Sequence, residues 1–215
     1  MPAPQVPVGP VLLEGRLVRL EPLAARHAEG LLAAATAAPE EGIPFTFVPR
    51  DRGALARWLE EALGAAAEGR AVPFATCAAA DGRVLGATRF GNLERWPRTP
   101  DVPGPPPTPS GLDAVEIGWT WLARSAQRSG ANTEAKRLML RHAFEAWGVR
   151  RVTLKTDARN QRSRAAIARL GATLDGVLRA HLPARDGGVR DSAVYSILAA
   201  EWPAVRLRLD GLLAR

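Results

Sequence analysis

Apolar and polar positions along the chain change period several times, and each change marks an element. Residues 17–20 (Leu-Val-Arg-Leu) are short, rich in β formers and ended by Pro22, which predicts a strand. Residues 24–38 are rich in alanine and leucine and predict a helix stopped before Pro39. Asp51 is placed to cap a second helix, in which Leu55, Trp58, Leu59 and Leu63 fall on one face. The period then drops to two: residues 72–79 and 83–90 flank Asp81-Gly82, a two-residue hairpin signal. Residues 114–122 (Ala-Val-Glu-Ile-Gly-Trp-Thr-Trp-Leu) suit a pleated surface. After them Ala135, Leu138, Met139, His142, Ala143, Ala146 and Trp147 recur at three and four, the stripe of a helix of about four turns packed on a sheet.

Residues 151–156 predict a strand that returns beside 114–122, and residues 160–170 a helix capped by Asn160 and ended by Gly171. Two more strands, 173–182 and 189–199, are joined at Asp186-Gly187-Gly188, and a last helix begins near Trp202-Pro203. Two stretches break the periodicity. Seven prolines between positions 97 and 109 forbid a ladder or a helix there, so residues 97–112 read as a long, stiff, Pro-rich loop inside one domain. Residues 43–49 carry Phe45 and Phe47, which either line a substrate cleft, with Phe47 a substrate-binding candidate, or fold into the core.

At 215 residues and 47% hydrophobic content the chain suffices for one α/β domain over residues 12–215, after a flexible, proline-rich arm at 1–11. No apolar run is long enough for a bilayer, and residues 1–7 lack the basic start and apolar stretch of an export signal, so a cytoplasmic protein with no membrane contact is expected. Cys77 is the sole cysteine and reads as a small buried residue, which excludes an internal disulfide and a cysteine zinc cluster. His27, His142 and His181 are scattered, and no metal is expected. The net charge of +7 is spread along the chain with no dense basic block, and only Lys136 and Lys155 among the 29 basic residues are lysines. Such a balance suits a polyanionic cofactor or an acidic partner. No aromatic-plus-basic stacking motif supports direct nucleic-acid binding.

The candidate chemistry centres on Gln127-Arg128-Ser129-Gly130-Ala131-Asn132-Thr133, between a strand and a helix. The first amides of a helix lack intrahelical partners and, with the helix dipole, attract an anion such as phosphate. Gly130 lets backbone approach it, and Arg128 adds a positive charge. The same residues also fit a plain connection capped by Asn132 or Thr133. Strand alternation puts Ala114, Glu116, Gly118 and Thr120 on one face and Val115, Ile117, Trp119 and Trp121 on the other, which aims the Glu116 carboxylate away from the apolar side.

The order strand, helix, helix, hairpin, strand, glycine turn, helix, strand, helix, hairpin resembles the GNAT superfamily of acetyl-CoA-dependent N-acetyltransferases. More narrowly it is similar to the RimJ/RimL branch, named for ribosomal-protein N-terminal acetyltransferases. The residues that carry the match are Glu116-Ile117-Gly118-Trp119, Gln127 through Ala135, and Asn160-Gln161-Arg162-Ser163 followed eight residues later by Gly171-Ala172. The likeness runs from about residue 12 to residue 209. It implies an α/β (α+β) fold, a central, mixed, mostly antiparallel, splayed sheet of about seven strands flanked by helices. It leaves room for a homodimer.

The resemblance implies acetyl-CoA as cofactor and an amine acceptor, either a protein N-terminus or a small molecule, attacked directly in a ternary complex. Backbone at Trp119, Thr120, Trp121 and Leu122 would pair with pantetheine and hold an oxyanion. Gln127, Arg128, Ser129, Gly130, Ala131, Asn132 and Thr133 would hold the pyrophosphate, Asn160 would meet the pantetheine, and Arg159 or Arg162 the 3′-phosphate. Glu116 would be the base, with a buried ion pair to one of the arginines as its structural alternative. The family tyrosine that protonates the departing thiolate is replaced by Ile167, and Ser163 is the substitute donor. The signature's last small residue is Asn132, a type that tolerates left-handed backbone. Tyr195 is a further substrate-binding candidate. The competing reading is a non-catalytic acyl-CoA-binding module.

Overall fold

The computed structural model describes residues 6–37 and 45–214. The expected helix stop at Pro39 and the Ile43-Pro44 pair lie outside them. Eight strands form one sheet: β1 (Leu13–Glu14), β2 (Val18–Pro22), β3 (Val72–Ala78), β4 (Val84–Glu94), β5 (Ala114–Leu122), β6 (Arg151–Asp157), β7 (Thr173–Pro183) and β8 (Val189–Leu198). They lie in the order β1-β2-β3-β4-β5-β6-β8-β7, and every neighbouring pair is antiparallel except β5–β6. The eighth strand, relative to the seven expected, is the two-residue β1, too short to show a period.

Helices cover both faces. The first helix begins with a 3-10 turn and continues as α1 (Ala28–Thr36). With α2 (Arg52–Ala67) it packs Leu31, Leu55, Leu59 and Ala62 against Ala75, Cys77, Ala87 and Trp121. Asp51 caps α2 as expected, its Oδ1 accepting the Ala54 N–H at 2.8 Å. On the other face α3 (Ala131–Arg141), α4 (Gln161–Leu170) and α5 (Trp202–Leu213) enclose the larger core, which includes Leu138, Met139, Ile167 and Leu209 against Val115, Ile117, Val152 and Ile197. The stripe expected to run to Trp147 changes pitch at His142, where a π-helical turn (His142–Ala146) brings Trp147 to 4.7 Å from the Phe90 ring.

Two expectations need adjustment. The hairpin at Asp81-Gly82 exists, but β3 stops at Ala78 and β4 starts at Val84, so the loop is residues 79–83, with the Asp81 carboxylate accepting the Arg83 N–H. Residues 6–11, expected as part of a flexible arm, lie against the body: the Val6 N–H donates to the Pro109 carbonyl, and the Trp147 indole donates to the Pro7 carbonyl. The Pro-rich loop is tied down as well. Asp113, fully buried at its end, accepts from Arg98, Arg150 and the Trp96 amide; burial alone would raise its carboxyl, yet these bonds hold it below its usual value.

Candidate active site

A V-shaped notch opens in the middle of the sheet. β5 and β6 pair only at Ala114–Arg151, Val115–Val152 and Glu116–Thr153. Beyond that point β5 continues along β4 to Leu122, while β6 continues along β8 to Asp157. Two strands that follow different neighbours separate, and their facing backbone groups lose their ladder partners. On β5 the Ala123 N–H reaches the Leu85 carbonyl of β4. Alternation along the strand then turns the Leu122 and Thr120 amides toward the notch. The Leu122 carbonyl agrees, since it accepts the Gln127 side-chain amide at 2.9 Å and not a β4 donor.

A β-bulge at Trp119 shapes the rim. Gly118 pairs with Arg89 and Trp121 with Ala87, so β5 spends one more residue than β4 between these points, and Trp119 takes φ +50°. Gly86 opposes this stretch, where an added Cβ would lie 2.1 Å from the Trp121 carbonyl oxygen. The bulge reverses the alternation expected past Gly118. Trp121 joins the α1/α2 face, its ring 6.4 Å from Trp58, while Thr120 turns to the α3 face. The expected assignment of Trp121 to the face of Val115 and Ile117 is therefore corrected: an extra residue shifts every later side chain to the opposite side. Trp119 itself is exposed, its ring under the Arg89 guanidinium at 4.0 Å and over Gly91.

Under the bulge lies a polar knot that periodicity did not reveal. The Lys136 ammonium, from α3, donates to Thr120 Oγ1 at 2.6 Å and to Thr88 Oγ1 at 3.0 Å. The two hydroxyls are 2.8 Å apart and both reach the Gly118 carbonyl, at 3.2 and 3.3 Å. Burial pushes the Lys136 pKa down to about 7.

At the mouth of the notch stands the turn 127–133. The N-cap of α3 is Gly130, and no side chain caps it. The first intrahelical bond runs from the Glu134 N–H to the Gly130 carbonyl, which leaves the amides of residues 130–133 outside the helix ladder. Ser129 Oγ accepts the Ala131 N–H at 3.2 Å and donates to the Ala126 carbonyl. Asn132 and Thr133 do not cap: Thr133 Oγ1 accepts from Arg169, and Asn132 Oδ1 is buried without a hydrogen-bond partner. The left-handed residue of the turn is Arg128, at φ +60°, and not Asn132, which is already helical. Gly130 has ordinary helical φ, and an added Cβ would meet Leu17 Cδ1 at 2.6 Å, so packing behind the helix is a further reason for a glycine there. Gln127 Oε1 accepts from Arg162 on α4 at 3.1 Å, which ties the turn to the far side of the notch.

Glu116, at the point where the strands part, is buried, and its Oε2 accepts from Asn92 at 2.7 Å and pairs with Lys155 of β6 at 2.8 Å. Its ion-pair partner is thus a lysine across the notch and not an arginine. Oε1 lies over Gly118, 3.2 Å from where a Cβ would stand. Neither Asn92 nor Lys155 was singled out by the sequence. Asn92 lies past the predicted end of its strand, whereas Lys155 carried one signal, its rarity among 29 cationic residues.

The β6–α4 turn is conventional. Asn160 caps α4, its Oδ1 accepting the Ser163 N–H at 3.0 Å, and Gly171 ends the helix at φ +103°. Arg159 donates to Asp157 and Asp186 and stacks on the Phe45 ring at 5.3 Å. That engagement makes it a poorer phosphate candidate than Arg162. Tyr195 is in the main core, its hydroxyl accepting from Arg164, so the structure does not bring it to the notch. Phe47 is 53% exposed, while its neighbour Val48 enters the core in place of the two aromatics. Away from the notch His27 meets Glu21 and Cys77, three ligand-type atoms within 4.8 Å of one another, a proximity missed by spacing alone. The Ala24 N–H donates to His27 Nδ1, so Nε2 carries the proton and faces Glu21 Oε2. Burial raises the Cys77 thiol to about 11, and the trio is a poor metal ligand set.

A parallel β5–β6 pair opens into a notch with the uncapped helix at its mouth, and comparison with known proteins places the chain that carries it. Residues 17–173 fit the model of the acetyltransferase (GNAT) domain. The chain belongs to the GNAT acetyltransferases. Within that family it is similar to the Bacillus subtilis (strain 168) protein named "Putative ribosomal N-acetyltransferase YdaF", 34% identical over 88 residues, 41% of this chain. The match spans 47%, about half, of the length of that relative. A "putative acetyltransferase" from T. thermophilus is 37% identical, covering 95% of this chain and 97% of that one, with a TM-score of 0.77. A GCN5-related N-acetyltransferase from Brucella melitensis is 28% identical, covering 98% and 89%, with a TM-score of 0.80. The GNAT fold thus spans nearly the whole chain. No helix among the described residues is long and apolar enough to cross a membrane.

Proposed function

We propose that the protein is an acetyl-CoA-dependent N-acetyltransferase that acts on a primary amine, a protein N-terminus or a small molecule, by direct attack in a ternary complex in the cytoplasm. The observation that carries this reading is the notch itself: unpaired β5 backbone leads to the uncapped amides of α3. A polyphosphate thioester has one extended amide-bearing arm and one anionic end, and the donors present fit both. Acetyl-CoA supplies the acyl group as an activated thioester.

The chain's own groups then have separate tasks. The Thr120 and Leu122 amides face the notch, where they can stabilise a developing oxyanion, with Trp119 and Trp121 fixing that backbone from the other face. The 128–133 amides, Arg128 and Arg162 offer positive potential at the anionic end, and Gln127 bridges Arg162 to β5. An amine of ordinary pKa is largely protonated at neutral pH, and Glu116 Oε1, the oxygen not shared by Asn92 and Lys155, is the acceptor for that proton. Ser163, in the first turn of α4, is the candidate donor to the departing thiolate.

The test is acetyl-CoA binding together with thiol release across an amine panel, with Glu116→Gln alongside the parent chain. The variant should bind acetyl-CoA within about twofold of the parent while kcat falls by about 100-fold or more. Equal turnover would remove Glu116 from the reaction. Tight binding by the parent chain with no thiol release from any amine would favour a binding module.

A further inference from the structure

We propose that Lys136 is a positioning residue for acetyl transfer: through the Thr88 and Thr120 hydroxyls it holds the Trp119 bulge, and so keeps the Thr120 amide turned into the notch. The inference rests on the acetyltransferase reading above.

The Gly118 carbonyl lies at the edge of the bulge, and the two hydroxyls that reach it converge on Lys136 Nζ. One ammonium thus ties α3, which carries the anion-binding turn, to β5, which carries the oxyanion donors. Among the described residues no carboxylate pairs with Lys136. On α3, Glu134 takes the Arg16, Leu17 and Val18 amides, Arg137 pairs with Asp210, Arg141 is exposed, and the His142 ring that follows lies against Trp147. On β4, Arg89 pairs with Glu61 and Glu94 is exposed; on β5, Glu116 pairs with Lys155. Burying a cation without a counter-ion works against folding, and two hydroxyls compensate only part of that. In a chain where all but two of the 29 basic residues are arginine, a lysine stands where a compact ammonium fits between two hydroxyls and a planar guanidinium would not. An expensive group at this junction is explained by what it positions.

The charge state gives a sign. With a folded-state pKa of about 7 against an unfolded value of about 10.4, the unfolded chain holds the extra proton between those limits, so stability rises with pH across that window. Below about 7 both states are protonated and the penalty is constant.

Lys136→Met should therefore raise the Tm at neutral pH and flatten its rise between pH 7 and 10, while kcat falls by about 10- to 100-fold with acetyl-CoA affinity unchanged. A lysine needed only for folding would show the reverse, a lower Tm with kcat per folded molecule intact, and that result would overturn the proposal. Thr88→Val should reproduce the loss of kcat and Thr88→Ser should not, which keeps the test open if the methionine variant misfolds. A parent chain that turns over amines beside a Lys136→Met variant of equal kcat would overturn this proposal alone. A parent chain inert toward every amine would overturn the acetyltransferase reading and this proposal with it.

Discussion

The two strand–turn–helix units on either side of the notch leave their helix amides in opposite states. At β6–α4 the cap residue is engaged: Asn160 Oδ1 takes the Ser163 N–H, and Arg159 donates to Asp157 and Asp186. At β5–α3 the cap residue is Gly130, which has no side chain to offer, Arg128 is held in a left-handed conformation, and the Asn132 oxygen is buried without a partner. A good cap is worth about 1 kcal/mol, and left-handed backbone at a non-glycine costs about 1 kcal/mol or more. One unit has its cap residue engaged, whereas the other has no side chain on its cap residue, only the Ala131 amide being taken, by Ser129 Oγ. The difference is what supports placing the anion of the proposed function at α3 and not at α4.

The largest effect should come from closing that difference by charge. Gly130→Asp puts a carboxylate at the uncapped amides and should weaken acetyl-CoA binding by about 100-fold or more in calorimetric titration, since like charges in contact cost several kcal/mol. Gly130→Ala is its control. The new Cβ must displace Leu17 in both variants, from a contact of 2.6 Å, at a cost of about 1–3 kcal/mol in stability, but alanine leaves the amides free. If the two variants bind acetyl-CoA alike, the glycine serves packing alone and the contrast between the turns loses its functional meaning.

Arg128→Gly comes next. It removes the left-handed strain and the charge together, so stability should rise by about 1 kcal/mol while acetyl-CoA affinity falls by about tenfold, with a weaker dependence on salt. Unchanged affinity would show that the guanidinium points away from the ligand.

How far the two turns were legible in the sequence depended on the range of the interactions. Asn160, Gly171 and Asp51 act on amides a few residues away, and their types alone identify them as caps and stops. The face of β5 that carries Glu116 followed from alternation up to Gly118, whereas the parting of the strands there came only with the family resemblance. Alternation then failed, because the bulge at Trp119 is imposed by contacts with Gly86, Thr88 and Lys136 that lie 16 to 48 positions apart in the chain. The same distance hid the Lys155 and Asn92 bonds to Glu116 and the Arg164 bond to Tyr195. Asn132 was misread for a different reason: its type favours caps and left-handed turns, but the left-handed residue is Arg128, three residues before α3 begins.

The smallest effect tests the finished turn. Asn160→Ala deletes the oxygen that holds the Ser163 amide at 3.0 Å, and the amide is partly exposed, so water can replace part of the lost bond. Stability should fall by about 1 kcal/mol, read from denaturant unfolding with an unchanged m-value. Because that oxygen is already occupied by the protein, the loss of acetyl-CoA affinity should be smaller than for Arg128→Gly, even under the proposal that Asn160 meets the pantetheine. An affinity loss larger than that of Arg128→Gly, with stability intact, would mean that the ligand and not α4 is the true partner of Asn160. The two turns would then share one task, and the division between a capped helix and a waiting one would have to be given up.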